Sequence, residues 1–510
     1  MDHTEQLRPV SGMKRLIKGR LFIFAWLALV LALALGTDLW RRMPLPWVWL
    51  GELRDECFSN FDFPGLQWAW GLCFGVYLAC FALVRWQSRG QRKTQLPTTP
   101  GGSSSVRETS SLLLTGLAIW AAAAYAFHHF EESATTDFAV FMGGITIAQA
   151  VSIFKGWSWS KEDACLLLAD ILGTLVLVLT MAVLLLSGAR WHDSYRGAGR
   201  WSGPWTDPNR CGLMMGTGVV ISLGLAAWYV GRRRWIPAIL PLISAILLAG
   251  GLTRTYSRGS WLGTLLALAY LAFVWRNTGA TRPRWLRWVG RNLSGLMVIG
   301  ISVGVLAFWN FRESEQTLVR RTFSPANKND FASQNRLAAY EGGLQIMADN
   351  PLLGLGWDTP KGIYNGFYES SRLVEGKAIE LNDYFTLGMT LGIPALACFV
   401  WGIYRCFRIG EAPRNRENGP SAARQSSDKT RPTTRETDGP TRSIQWLEAT
   451  CRAGVIVLLV GFWFERALCF ISTGATFWML LELGSVTGAK RENLAAHIHN
   501  PPHKLAGPQC

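Results

Sequence analysis

No Cys-x-x-Cys pair occurs in the 510 residues, and the ten cysteines are scattered, several inside apolar stretches (Cys73, Cys80, Cys165 and Cys398). That pattern excludes a disulfide framework and a structural zinc site. Histidine is scarce, seven in all, and none lies between Phe311 and Glu380. Charged residues are only 17% of the chain, below the usual share for a soluble domain. No small-residue cleavage site follows the basic N-terminal stretch (Lys14, Arg15, Lys18, Arg20) and its apolar run. A retained first helix is therefore expected rather than a removed signal.

What is abundant is apolar surface: 49% of residues, with 25 Trp and 25 Phe. Twelve apolar runs stand out, at 19–37, 66–84, 111–128, 138–154, 164–187, 211–230, 236–252, 260–275, 294–310, 384–404, 444–464 and 467–485. Each is long enough to cross a hydrocarbon core of about 30 Å as a helix. The expected class is an all-α polytopic membrane protein of about 12 transmembrane helices.

The net charge of +16 follows topology. Basic residues crowd alternate connections, among them Arg85, Arg89, Arg92 and Lys93; Arg232, Arg233 and Arg234; and a dense set from Arg405 to Arg442. The positive-inside rule then puts both termini in the cytoplasm and removes nucleic acid as an expected partner. Three regions follow. Residues 1–310 hold nine helices with a flexible cytoplasmic linker near 86–109. Residues 311–380 form one large outer loop between helices 9 and 10. Residues 381–510 hold the last three helices and a second polar cytoplasmic segment near 410–441.

Within the outer loop, Leu337, Tyr340, Leu344 and Met347 are spaced as one face of an amphipathic helix, which Asn350-Pro351 should end. Gly354 and Gly356 fit a tight turn or a close approach of backbone to a ligand. Basic and acidic side chains nearly balance here, so any anion binding must come from individually placed arginines. Arg336, read as opening the helix, is the best placed, because a helix N-terminus favours anions.

Two other outer segments carry arginine. In "RWHDSYRGAGRWSGPWTDPNRCG", Trp201, Trp205 and Arg210 suit either an aromatic belt at headgroup depth or a platform for a sugar or isoprenoid phosphate. In "TRTYSRGSWLG", Arg254 and Arg258 fall four apart, on one face if the 260–275 helix extends outward by a turn. Singly, each arginine can be a snorkelling anchor. Jointly, Arg210, Arg254, Arg258 and Arg336 could hold a pyrophosphate bidentately without a metal. No outer carboxylate cluster suggests a metal, and no cofactor is expected.

The segments "TRTYSRGSWLGTLLALAY", "GPWTDPNRCGLMMG", "NRLAAYEGGLQIMADNPLLGLGW" and "NDYFTLGMTLGIPALACFVWGIY" resemble the O-antigen ligase family of bacterial membrane glycosyltransferases, which includes related glycan polymerases. The resemblance covers about residues 200–405. It implies metal-independent transfer of a glycan from undecaprenyl pyrophosphate to a glycan or lipid acceptor at the periplasmic face of the inner membrane; in the ligases that acceptor is the lipid A core. It also implies that Arg258 and Arg336 grip the pyrophosphate. The chain departs from the family in one place: Leu381 stands where ligases have a histidine, beside Asn382. Leucine takes no proton. Asp383 or Glu380 could supply a carboxylate instead, His192 could reach in from the preceding outer loop, or the chemistry could need little base help.

The expected catalytic set is Arg258, Arg336, Asn382 and Asp383, with Arg210, Arg254, Trp205 and Tyr340 on the substrate. Two other classes stay open. A transporter would use ionisable groups such as Asp170 or Glu465-Arg466 and internal repeats, and none of the latter is evident. A non-catalytic relative would only bind polyprenyl-phosphate glycans.

Overall fold

The computed structural model describes residues 104–127, 132–155, 161–186, 192–195, 198–205, 207–277, 331–357, 360, 363–368, 382–408 and 439–485. The expected helices at 19–37, 66–84 and 294–310, and Leu381, lie outside these residues. The described chain is mostly helical: α1 (Ser104–Phe127), α2 (Glu132–Lys155), α3 (Lys161–Leu186), α4 (Pro208–Gly231), α5 (Trp235–Thr255), α6 (Arg258–Asn277), α7 (Phe331–Asp349), α8 (Asp383–Leu391), α9 (Ile393–Arg408), α10 (Gly439–Phe462) and α11 (Ile471–Gly484). The all-α expectation misses one antiparallel hairpin, β1 (His192–Tyr195) with β2 (Ala198–Trp201), in which His192 pairs with Trp201.

Segments Ala164–Leu184, Pro208–Gly231, Trp235–Thr255 and Ser443–Phe462 are long and apolar enough to cross a membrane. The chain is a multi-pass membrane protein. Helix α4 is central, packing on α3, α5, α6 and α10, while α10 also packs on α11. Small residues permit the close approach. A Cβ on Gly212 would come within 2.7 Å of Ser260 Oγ, and one on Gly263 within 2.8 Å of the Val457 carbonyl oxygen. Charge buried in α10 is matched locally: Arg452 donates from Nε to the Gly484 carbonyl at 2.8 Å and lies 3.9 Å from Glu448.

The apolar run 384–404 is not one helix. It breaks at Gly392, whose φ of 84° takes a left-handed-side conformation that favours glycine, and α8 and α9 continue on either side. Into this break fits the Gly354–Gly356 turn. Leu355 N–H donates to the Met389 carbonyl at 2.8 Å, Gly356 N–H to Thr390 at 3.0 Å, and Ile393 N–H to Pro351 at 2.8 Å. The glycines thus serve a close approach of backbone to backbone, supplying donors to carbonyls that the helix end leaves open. Gly354→Ala puts a Cβ 2.5 Å from the Met389 carbonyl oxygen at a φ of +68°. It is expected to cost about 2–4 kcal/mol, read as a lowered thermal midpoint in detergent, whereas Gly366→Ala, with open space around it, leaves the midpoint in place.

Helix α7 ends at Asp349 as Asn350-Pro351 requires, but its buried face is not the expected one. Leu337 and Leu344 are exposed, at 65% and 57%. The face turned inward carries Ala338, Ala339, Gly342, Gly343, Ile346 and Met347. Small residues won because bulky partners occupy the other side: a Cβ on Gly343 would meet the Phe385 ring at 3.0 Å, and Gly342 lies flat against Tyr364.

Candidate functional site

One end of the bundle collects the N-terminal turns of α4, α6 and α8, helix α7 and the connection 463–470 between α10 and α11. Asp207 caps α4, its side chain accepting from Asn209 N–H at 2.6 Å and Arg210 N–H at 3.3 Å, and Pro208 opens the first turn. Arg200, buried on β2, donates from Nε to the Thr255 carbonyl at 3.0 Å and from Nη2 to Asn209 Oδ1 at 2.9 Å. An arginine only donates, so the Asn209 amide is fixed with Nδ2 turned away, where it donates to Glu465 Oε2 at 3.0 Å. Arg210 Nε lies 3.8 Å from Glu465 Oε1, and its guanidinium sits 3.3 Å from the Phe470 ring centroid.

The Arg254–Arg258 pair is not on one helix. Tyr256, with φ of 52°, ends α5, and α6 starts at Arg258. Arg254 is an exposed residue of the last turn of α5, while Arg258 is half-buried in the first turn of α6. The start of α6 is tied to α4, since Ser260 Oγ donates to the Asn209 carbonyl at 3.3 Å and lies 2.8 Å from Ser257 Oγ. It also presses on the connection: a Cβ on Gly259 would reach the Phe464 ring at 2.8 Å.

Arg336 approaches the same phenylalanine, its guanidinium 5.7 Å from the Phe464 ring centroid. It belongs to the second turn of α7, because the helix begins at Phe331, earlier than the apolar spacing suggests. The expected help from a helix N-terminus is therefore not its own. Its Nε–H is buried and finds no hydrogen-bond partner among the described residues. Tyr340 commits its hydroxyl to the Trp463 carbonyl at 3.2 Å and stacks on Phe385 with centroids 4.9 Å apart. Trp205 is 3% exposed, so burial denies it the open ring face that a platform needs.

At the start of α8, Asn382 is the N-cap, its Oδ1 accepting from Tyr384 N–H at 2.8 Å and Phe385 N–H at 3.3 Å. Its Nδ2, also buried, has no partner among the described residues. Asp383 is not a solvated boundary charge. It is 1% exposed, and its Oδ2 accepts the N–H groups of Ala467 and Leu468 at 2.8 and 2.9 Å. Burial pushes its carboxyl up to about 8 against the pull of those two donors. Burial, followed by the Asp207 charge, raises Glu465 to about 7, with Arg210, Asn209 and Arg336 pulling the other way. Neighbouring Arg466 pairs with Asp137 of α2. Among the described residues no three His, Cys, Asp or Glu side chains gather as a metal site.

Residues 243–400 match the family model described as O-antigen ligase. This stretch of the chain is similar to O-antigen ligases. No curated protein matches the chain. The matched stretch contains Arg254, Arg258, Arg336, Tyr340, Asn382 and Asp383. Arg200, Asn209, Arg210 and Glu465 lie outside the stretch and join the site only through folding. Sequence reading left Arg200, Asn209 and Glu465 out of the site. The available signal was a charged pair, Glu465-Arg466, set between two apolar runs.

Proposed function

We propose that the protein transfers or polymerises a glycan from undecaprenyl pyrophosphate onto a glycan or lipid acceptor at the periplasmic face of the inner membrane, with both termini cytoplasmic and no metal required. The observation that supports this reading most is the placement of Arg210 and Arg336 against one short connection, 463–470, with Arg258 in the first turn of α6 next to Gly259, which packs on Phe464 of that connection. Three guanidinium groups suit a pyrophosphate, whose oxygens accept paired N–H donors and whose charge grows as the glycosidic bond breaks. The unspent Nε–H of Arg336 and Nδ2 of Asn382 are further donors for such an anion, since buried polar groups ordinarily find partners. Arg210 and Arg258 each lie in the first turn of a helix, where the helix dipole adds to the attraction.

In this mechanism the arginines hold the diphosphate and meet the charge on it as it leaves. Asn382 helps orient the donor, and the acceptor hydroxyl attacks the anomeric carbon. Purified protein in liposomes, given undecaprenyl-pyrophosphate-linked glycans extracted from the producing cells and an acceptor glycan, should release undecaprenyl pyrophosphate in step with glycan transfer. Retention of the lipid-linked glycan with no turnover would leave a binding protein and overturn the assignment.

A further inference from the structure

We propose that Glu465 is the general base that takes the proton of the acceptor hydroxyl, a role that rests on the glycan-transfer reading above. The reaction needs such a group: as the acceptor oxygen bonds to the anomeric carbon, its proton must leave, while the carbon–oxygen bond to the diphosphate breaks and its electron pair departs with undecaprenyl pyrophosphate. Leu381 offers nothing for that proton. Glu380 lies outside the described residues, and Asp383 is enclosed and spends Oδ2 on two backbone N–H groups. Glu465 differs on both points. Its side chain keeps 13% exposure, and it stands among the cations assigned to the leaving group, 3.8 Å from Arg210 and within the field of Arg336.

Its neighbours make it a positioned base rather than a stray charge. The Arg200–Asn209–Glu465 chain fixes Oε2 through a single donated N–H at 3.0 Å. The Arg210 contact to Oε1, at 3.8 Å, is an ion pair too long for a hydrogen bond. Asp207 faces it as a like charge, Asp383 as a carboxyl whose burial favours its protonated form, and Arg210 and Arg336 as opposite charges. When a diphosphate arrives at Arg210, the guanidinium acquires a second anion and holds Glu465 less. The carboxylate then binds a proton more readily, so its basicity rises when the donor is in place. After transfer the proton passes from Glu465 to water.

The test uses the full-length protein in liposomes with lipid-linked glycans extracted from the producing cells. Glu465→Gln keeps the shape and an acceptor for Asn209 but cannot take a proton. Transfer to the acceptor glycan should fall about 10²-fold, while the KM for the lipid-linked donor stays within about twofold. Azide, a nucleophile with no proton to lose, should form the glycosyl azide at the wild-type rate in the variant. Normal acceptor transfer by Glu465→Gln overturns the proposal, as does an equal loss of both reactions, which would mark a structural role. Failure of the wild-type protein to turn over any lipid-linked glycan sinks the transfer reading itself, and shows before the variant is compared.

Discussion

Arg258→Ala and Arg336→Ala should each lower glycan transfer by about 10²–10³-fold, the loss typical of removing one donor from the stabilisation of a developing oxyanion. The two act from different elements, the second turn of α7, where Arg336 lies over Phe464, and the first turn of α6, whose Gly259 packs on the same ring. Neither can replace the other, because each reaches the anion from its own side. Lysine should restore little at either position, since a point charge cannot grip two phosphate oxygens as a planar guanidinium does. Arg254→Ala is the internal control: exposed on the far side of the Tyr256 break, it should change transfer less than about twofold. Membrane insertion and the thermal midpoint should match wild type in all three variants. Wild-type transfer by either Arg258→Ala or Arg336→Ala would remove the diphosphate grip.

The second large effect is on stability and falls at Asp383. Asp383→Ala strips the Ala467 and Leu468 N–H groups of their acceptor, and each buried donor left unmade costs about 1–3 kcal/mol. The connection that carries Glu465 loses its fastening to α8, so transfer should fall along with the thermal midpoint. Asp383→Asn keeps an acceptor oxygen and should retain most of the stability. The two also separate by pH. Because burial raises the folded-state carboxyl to about 8, above its unfolded value near 4, the folded chain keeps a proton that the unfolded chain has released. The contribution of this group is complete below about pH 4 and is lost as pH rises through about 8. The wild-type midpoint should therefore drop more steeply between about pH 5 and 8 than that of Asp383→Asn and level off above that range. Parallel curves would mean that Asp383 is ionised throughout.

Much of the helix plan was legible because lipid imposes one strong rule, about twenty apolar residues per crossing. Over their described residues the runs 111–128, 138–154, 164–187, 211–230, 236–252 and 260–275 each lie on a single helix, and 444–464 does so up to Phe462. That rule is silent on breaks, and the run 384–404 hides one at Gly392, where backbone pairing with another segment outweighs continuity. The face of α7 was misread for a related reason. Apolar spacing marks what water rejects, yet beside a membrane Leu337 and Leu344 can stay outside while Gly342 and Gly343 admit large rings. Arg336 and Arg258 were legible as candidates, because arginine at an apolar boundary is conspicuous. Glu465 was visible as a charge but not as a member of the site, since its partners Asn209 and Arg210 lie some 250 positions earlier.

The main-chain bonds that seat the Gly354–Gly356 turn in the α8–α9 break have a mechanical consequence. Trp357 adds a hydrogen bond to the Ala121 carbonyl of α1 at 3.3 Å, and Tyr340 ties the middle of α7 to Trp463. The segment from Arg336 to Trp357 is thus fastened to α1, α8, α9 and the 463–470 connection at several points and is poorly built to swing open as a flap. A bulky lipid-linked chain reaching this corner would have to slide in laterally past fixed walls, with its tail still in the bilayer.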